Sequence, residues 1–119
     1  MKVGTTNPEA QNLINFLHVQ ARTNKTKIWK SVANYLSKTK RSRIAVNVGK
    51  LVRLTSDGET VVVPGKVLGS GLIDHKLFVA ASNFSPKARN KIEAAGGKCI
   101  GLYELVKKNP KGSNIKMIR

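Results

Sequence analysis

Apolar residues recur at Ala10, Leu13, Ile14, Leu17 and Ala21, a spacing that lays one stripe along an amphipathic helix. Asn7-Pro8-Glu9 opens it. Asn suits the cap, Pro the first helical position, and an acid faces the positive helix end. The helix should end near Arg22-Thr23-Asn24. A second helix follows Thr26, another capping residue, with Ile28, Trp29, Val32, Ala33 and Leu36 on the inner side. Lys27, Lys30, Ser31 and Asn34 fall on the other side. A base-stacking role for Trp29 is conceivable, but its register with Val32, Ala33 and Leu36 reads it as core.

Beyond residue 43 the period changes. Ile44, Val46 and Val48 alternate as one face of a strand, and the alternation breaks at Gly49. Leu51 and Leu54 follow at a spacing of three, which predicts a short helical turn with Lys50 and Arg53 pointing out of the core. Asp57-Gly58 marks a tight turn. Residues 60–63 read as a short β-branched strand ended by Pro64-Gly65, and residues 77–81 as a second, fully buried one. Ser85-Pro86 opens a third helix with Ala88, Ile92 and Ala95 inward, closed by Gly96-Gly97. Cys99-Ile100 suggests a short strand, residues 102–108 one or two helical turns, and residues 115–118 a last strand. Helices and short strands alternate, so the fold class is α/β. The 119 residues suit one domain, with a basic helical part over 1–43 and an α/β core over 44–119.

Charge changes the picture most. Twenty-two Lys+Arg against six Asp+Glu give a formal net charge of +16. Such an excess repels itself in a compact chain unless a polyanion neutralises it, and nucleic acid is the commonest one. The excess is concentrated. Between Glu9 and Asp57 no acidic residue occurs, while Arg22, Lys25, Lys27, Lys30, Lys38, Lys40, Arg41, Arg43, Lys50 and Arg53 all do. A solvated face mixes signs, so this uniform run calls for a phosphate partner. Residues 37–43, without one apolar side chain, could be a disordered linker, a solvated loop, or a segment ordered by RNA. The surrounding charge favours the last, with hydroxyls and cations donating to phosphate oxygens.

Other chemistries lack their residues. No apolar run approaches the roughly 20 residues needed to cross a bilayer, no basic amphipathic helix with a large apolar face is evident, and no signal peptide opens the chain. The chain is expected to stay where it is made. A single Cys99 with His18 and His75 builds neither an internal disulfide nor a closed zinc site. Pro64-Gly65-Lys66-Val67-Leu68-Gly69-Ser70-Gly71 lacks Walker A spacing and the third glycine of a dinucleotide fingerprint. Its glycines suit either a backbone approach to phosphate or a plain turn. Asp74 and His75, if extended, point to opposite faces and make a poor acid–base pair. No catalytic residue, cofactor or small-molecule substrate is therefore expected.

The string Val62-Val63-Pro64-Gly65-Lys66-Val67-Leu68-Gly69-Ser70-Gly71 resembles the archaeal and eukaryotic large-subunit ribosomal protein family L-eighteen-e, related to the bacterial L-fifteen protein. Val79-Ala80-Ala81, Phe84-Ser85, Lys91-Ile92, Ala95-Gly96-Gly97, Asn109-Pro110-Lys111-Gly112-Ser113 and Ile118-Arg119 extend the likeness. Thr6-Asn7, Trp29 and Val46-Asn47-Val48 also occupy family-like places, so it spans nearly the whole chain. The compact length looks archaeal. The resemblance implies N-terminal helices followed by irregular turns of a strand-strand-helix superhelix. It further implies a structural, non-enzymatic role in the large subunit of the cytoplasmic ribosome, with ribosomal RNA and neighbouring ribosomal proteins as partners. On charge and placement, the expected phosphate contacts are Arg22, Lys25, Lys27, Lys38, Lys40, Arg41, Arg43, Lys50, Arg53 and Lys66. A DNA-binding architectural protein and an RNA-processing enzyme built on Asp74-His75 are the alternatives.

Overall fold

The computed structural model describes residues 8–37 and 44–119, so Asn7 and four expected phosphate contacts, Lys38, Lys40, Arg41 and Arg43, lie outside the described residues. In chain order the elements are α1 (Pro8–Asn24), α2 (Lys27–Leu36), β1 (Ile44–Asn47), α3 (Val48–Arg53), β2 (Glu59–Leu68), β3 (Leu77–Phe84), α4 (Pro86–Ala94), β4 (Lys98–Ile100), α5 (Leu102–Lys108) and β5 (Ile115–Met117). The class is α/β, as the alternation of periods predicts. Ser85 caps α4 by accepting from the Ala88 amide at 3.1 Å. Thr26 holds the cap position of α2 with extended backbone, yet its hydroxyl makes no capping bond, contrary to expectation.

Every strand pairing is parallel. The sheet runs β1-β2-β3-β4, and β5 also pairs with β2. β3 takes one edge of β2. The other edge is shared: β5 lies along Thr60, Val61 and Val62, and β1 along Gly65 to Leu68. That sharing explains the main departure from the sequence reading. Pro64-Gly65 was expected to end a strand, but β2 runs straight through it. Proline lacks the N–H that a central strand must donate. Here Pro64 sits in the gap between β5 and β1. On the opposite edge, Pro64 and Gly65 together face Ser82, because the register shifts between Val63 and Lys66. This is a β-bulge, where the missing donor costs nothing. The Ser82 hydroxyl donates to the Gly65 carbonyl at 2.7 Å and closes it.

Helices cover both faces, so the central strand is apolar without alternation. Val61, Val62 and Val63 are all fully buried. Val62 joins Ile14, Leu17, Trp29, Val32, Leu105 and Val106 under α1, α2 and α5. Val61 and Val63 join Val46, Leu51, Val79, Ala88 and Ile92 under α3 and α4. Leu51 is buried as expected, whereas Leu54 is exposed. β3 also outruns its expected end at Ala81, reaching Phe84.

Gly65 has no alternative at the joint with β1. A side-chain carbon there would overlap the Ile44 carbonyl oxygen. Gly65→Ala should therefore cost about 3 kcal/mol through forced separation of β1 from β2. Urea unfolding followed by circular dichroism measures it, and a loss below about 1 kcal/mol would show that β1 shifts freely.

Candidate nucleic-acid interface

α1 and α2 are joined by a turn in which Lys25 adopts the left-handed conformation, φ 52°. The Thr26 amide donates to Ala21 O at 3.0 Å, and the Asn24 side chain donates to Gln20 O at 3.0 Å, so the turn is tied to the end of α1. The apolar stripe of α2 then commits the helix's orientation: Trp29, Val32 and Ala33 are fully buried. Arg22, Lys25, Lys27 and Lys30 are left outward and exposed. Three expected contacts, Arg22, Lys25 and Lys27, thus stand together within six residues.

The remaining described contacts lie elsewhere. Trp29 Nε1 donates to Pro110 O at 2.7 Å, which places the start of α2 beside the turn preceding β5. β5 begins opposite Thr60, near the start of β2. Lys66 is exposed six residues further along β2, about 20 Å away at the rise of a strand. Arg53 is exposed at the end of α3. Lys50 is half-buried, and its ammonium already donates to the main-chain oxygen of Arg119 at 2.8 Å. The candidate residues therefore do not form one patch: Arg22, Lys25 and Lys27 share the α1–α2 turn, Lys50 and Arg53 lie on α3, and Lys66 lies on β2 next to Val67, which packs in the same cluster as Leu51 of α3.

The glycine-rich loop after β2 is folded onto the protein itself. Lys91 Nζ donates to the carbonyls of Gly69 at 2.7 Å and Gly71 at 2.6 Å. The Ser70 amide donates to Asn47 Oδ1 at 3.1 Å, and the Gly49 amide to Ser70 O at 3.0 Å. A side-chain carbon at Gly71, with φ 106°, would lie 2.6 Å from the Gly49 Cα. These glycines serve a close approach of two backbones, the turn reading of the two weighed above. The loop also brings Lys87 against Gly69, so Lys87 and Lys91 both lie beside it.

Asp74 and His75 do meet, which corrects the sequence expectation. The segment is not extended, and His75 Nδ1 lies 2.7 Å from Asp74 Oδ1. His75 Nε2 lies 2.9 Å from Thr55 Oγ1, completing a carboxylate–imidazole–hydroxyl row. A nucleophile needs its proton available to the imidazole. Thr55 Oγ1 instead donates at 2.7 Å to Leu51 O, the carbonyl one helical turn back. The row ties the end of α3 to the crossover into β3. Burial pushes the Cys99 thiol up, outweighing the opposing pull of Arg89, so it stays in its unreactive protonated form. Among the described residues, no three His, Cys, Asp or Glu side chains group to hold a metal ion. No described helix is long and apolar enough to cross a membrane.

Sequence reasoning passed over the cations of the C-terminal half because acids dilute them there on average. Lys107, Lys108 and Lys111, around the end of α5, went unselected, as did Lys87. The available signal was local: residues 105–119 contain five basic residues and no acidic one.

The chain matches the family model described as "Ribosomal protein 60S L18 and 50S L18e" over residues 2–119. It is 47% identical over 117 residues to the large ribosomal subunit protein eL18 of Methanothermobacter thermautotrophicus, covering 98% of this chain and 97% of that one. Against the protein of the same name from Pyrobaculum aerophilum it is 44% identical over 115 residues, covering 97% and 94%. The Methanoregula boonei protein of that name is also 44% identical, over 98% of this chain and 97% of its own. With a family model matched over residues 2–119 and relatives 44–47% identical over nearly their whole length, the chain belongs to the L18/L18e family of large-subunit ribosomal proteins, which are structural and not enzymes.

Proposed function

We infer that this protein is a structural constituent of the large subunit of the cytoplasmic ribosome, where it holds folded ribosomal RNA through backbone phosphate contacts and touches neighbouring ribosomal proteins. The observation that carries this reading is the acid-free stretch from residue 10 to 56. Its described lysines and arginines, apart from Lys50, all stand exposed on a firmly packed frame. A frame that buries its apolar stripes and keeps one sign of charge outside is suited to reading RNA shape and not base edges. The contacts are Arg22, Lys25 and Lys27 at the α1–α2 turn, Lys50, Arg53 and Lys66 along α3 and β2, and Lys38, Lys40, Arg41 and Arg43 between α2 and β1. Of these, Lys50 must exchange its bond to Arg119 for a phosphate.

The test is competition between structured large-subunit ribosomal RNA and duplex DNA at about 0.15 M salt. RNA should win, and binding should weaken with salt at a slope of about −0.9 for each phosphate neutralised, or about −0.7 where the RNA is single-stranded. The protein should also sediment with large subunits and leave them after ribonuclease treatment. Equal preference for duplex DNA, or retention after ribonuclease, would overturn the reading.

A further inference from the structure

Two acid-free stretches of this chain, residues 10–56 and residues 105–119, meet at one corner of the molecule. The first contributes the α1–α2 turn with Arg22, Lys25 and Lys27. The second contributes the turn between α5 and β5, with Lys107 and Lys108 leading into it and Lys111 exposed within it. The later turn is rigid on its own account. Asn109 Nδ2 donates to Ser113 O at 2.7 Å, the Ser113 amide returns to Asn109 Oδ1 at 3.2 Å, and the Gly112 amide donates to Asn109 O at 3.0 Å. Gly112 (φ 67°) and Asn114 (φ 59°) supply the left-handed conformations the turn needs.

The two turns are also fixed to each other. The buried Trp29 indole donates to Pro110 O across 81 residues of sequence, and Gly112 sits so close to the Ile28 side chain that a Cβ would overlap its Cγ2. Trp29 and Ile28 belong to the first turn of α2, directly after Lys25 and Lys27. The nearest acid in sequence, Glu104, is engaged by Lys108 at 3.2 Å. Lys107 and Lys111 have no carboxylate partner among the described residues.

Resting on the ribosomal RNA reading above, we propose that these two turns form one preformed clamp for RNA backbone phosphates, with Trp29 as the positioning residue that holds its halves in register. The backbones of rigid, mutually anchored turns lose little freedom on binding, so the spacing of the cations they carry favours a phosphate arrangement as well as a sign of charge. An anionic protein neighbour would ask only for the charge.

The experiment measures affinity for in vitro transcribed large-subunit ribosomal RNA across a salt series. The wild type is compared with Lys107→Ala/Lys111→Ala, Trp29→Phe and the triple combination. The lysine pair should weaken binding about tenfold and flatten the salt slope by about two contacts. Trp29→Phe removes the indole donor together with part of the buried ring, and should weaken binding about fivefold at a temperature where circular dichroism shows it folded. In the lysine-pair background it should add less than about twofold, because a positioning residue has nothing left to position. Unchanged affinity of the lysine pair in a wild-type background that binds RNA would overturn the clamp and leave the ribosomal reading standing. Full additivity of Trp29→Phe would overturn its positioning role. A wild type that ignores ribosomal RNA would overturn both readings. Should Trp29→Phe fail to fold, the exposed lysine pair still decides the clamp.

Discussion

Trp29→Ala is expected to lower the free energy of unfolding by about 3–5 kcal/mol, the range for removing a large aromatic from a close-packed core. The indole is fully buried in the cluster that joins Leu17, Val32, Val62 and Leu105. Truncation leaves a void bounded by two helices and the central strand, and elements fixed on several sides relax little into such a space. The lost bond to Pro110 O adds only about 1 kcal/mol, since Pro110 is exposed and water can replace the donor. Against a total stability of about 5–15 kcal/mol, the substitution removes from about a fifth to all of it. Urea unfolding followed by circular dichroism gives the value. A loss under about 1 kcal/mol would mean that the ring fills space the core can do without, and would reopen a surface role for Trp29.

The second large effect concerns binding and spares the fold. Reversing Lys40, Arg41 and Arg43 to Glu should abolish incorporation into large subunits and weaken RNA binding about a thousandfold. Three charge-assisted contacts at about 1.5 kcal/mol each account for that factor, before the repulsion that the new carboxylates add. The net charge falls from +16 to +10, because three reversals change it by six. A smaller excess relieves self-repulsion, so the melting temperature should hold or rise. Incorporation can be followed by gradient sedimentation and stability by thermal melting of the free protein. Unchanged incorporation would remove this segment from the RNA interface. Lost incorporation with a lowered melting temperature would show a role in the fold instead.

Much of the architecture was legible along the chain. The stripes of α1 and α2, the Ser85-Pro86 start of α4 and the break from β1 into α3 each follow from local rules of capping, periodicity and turn chemistry. Those rules act over a few residues, so a single sequence carries them. The passage of β2 through Pro64-Gly65 was not legible. Locally a Pro-Gly pair ends a strand. It is tolerated because β5 stops and β1 starts on one edge at that point, while Ser82 accommodates a bulge on the other. None of those neighbours is near it in sequence. The same holds for Asp74 and His75, whose contact depends on Thr55 drawing the ring to the end of α3.

Acting alone, then, the order of residues determined the α/β class and the sign and strength of the surface charge, because composition and short-range periodicity need no partner elsewhere in the chain, while the family was carried by the resemblance of short motifs such as Val62 to Gly71. Tertiary structure decided which cations stand together. Arg22 to Lys27 and Lys107 to Lys111 are distant in sequence, and only the packing of Trp29 and Ile28 on the turn before β5 brings them to one corner. An electrostatic surface is a property of positions in space, and those are set by where the apolar stripes are buried.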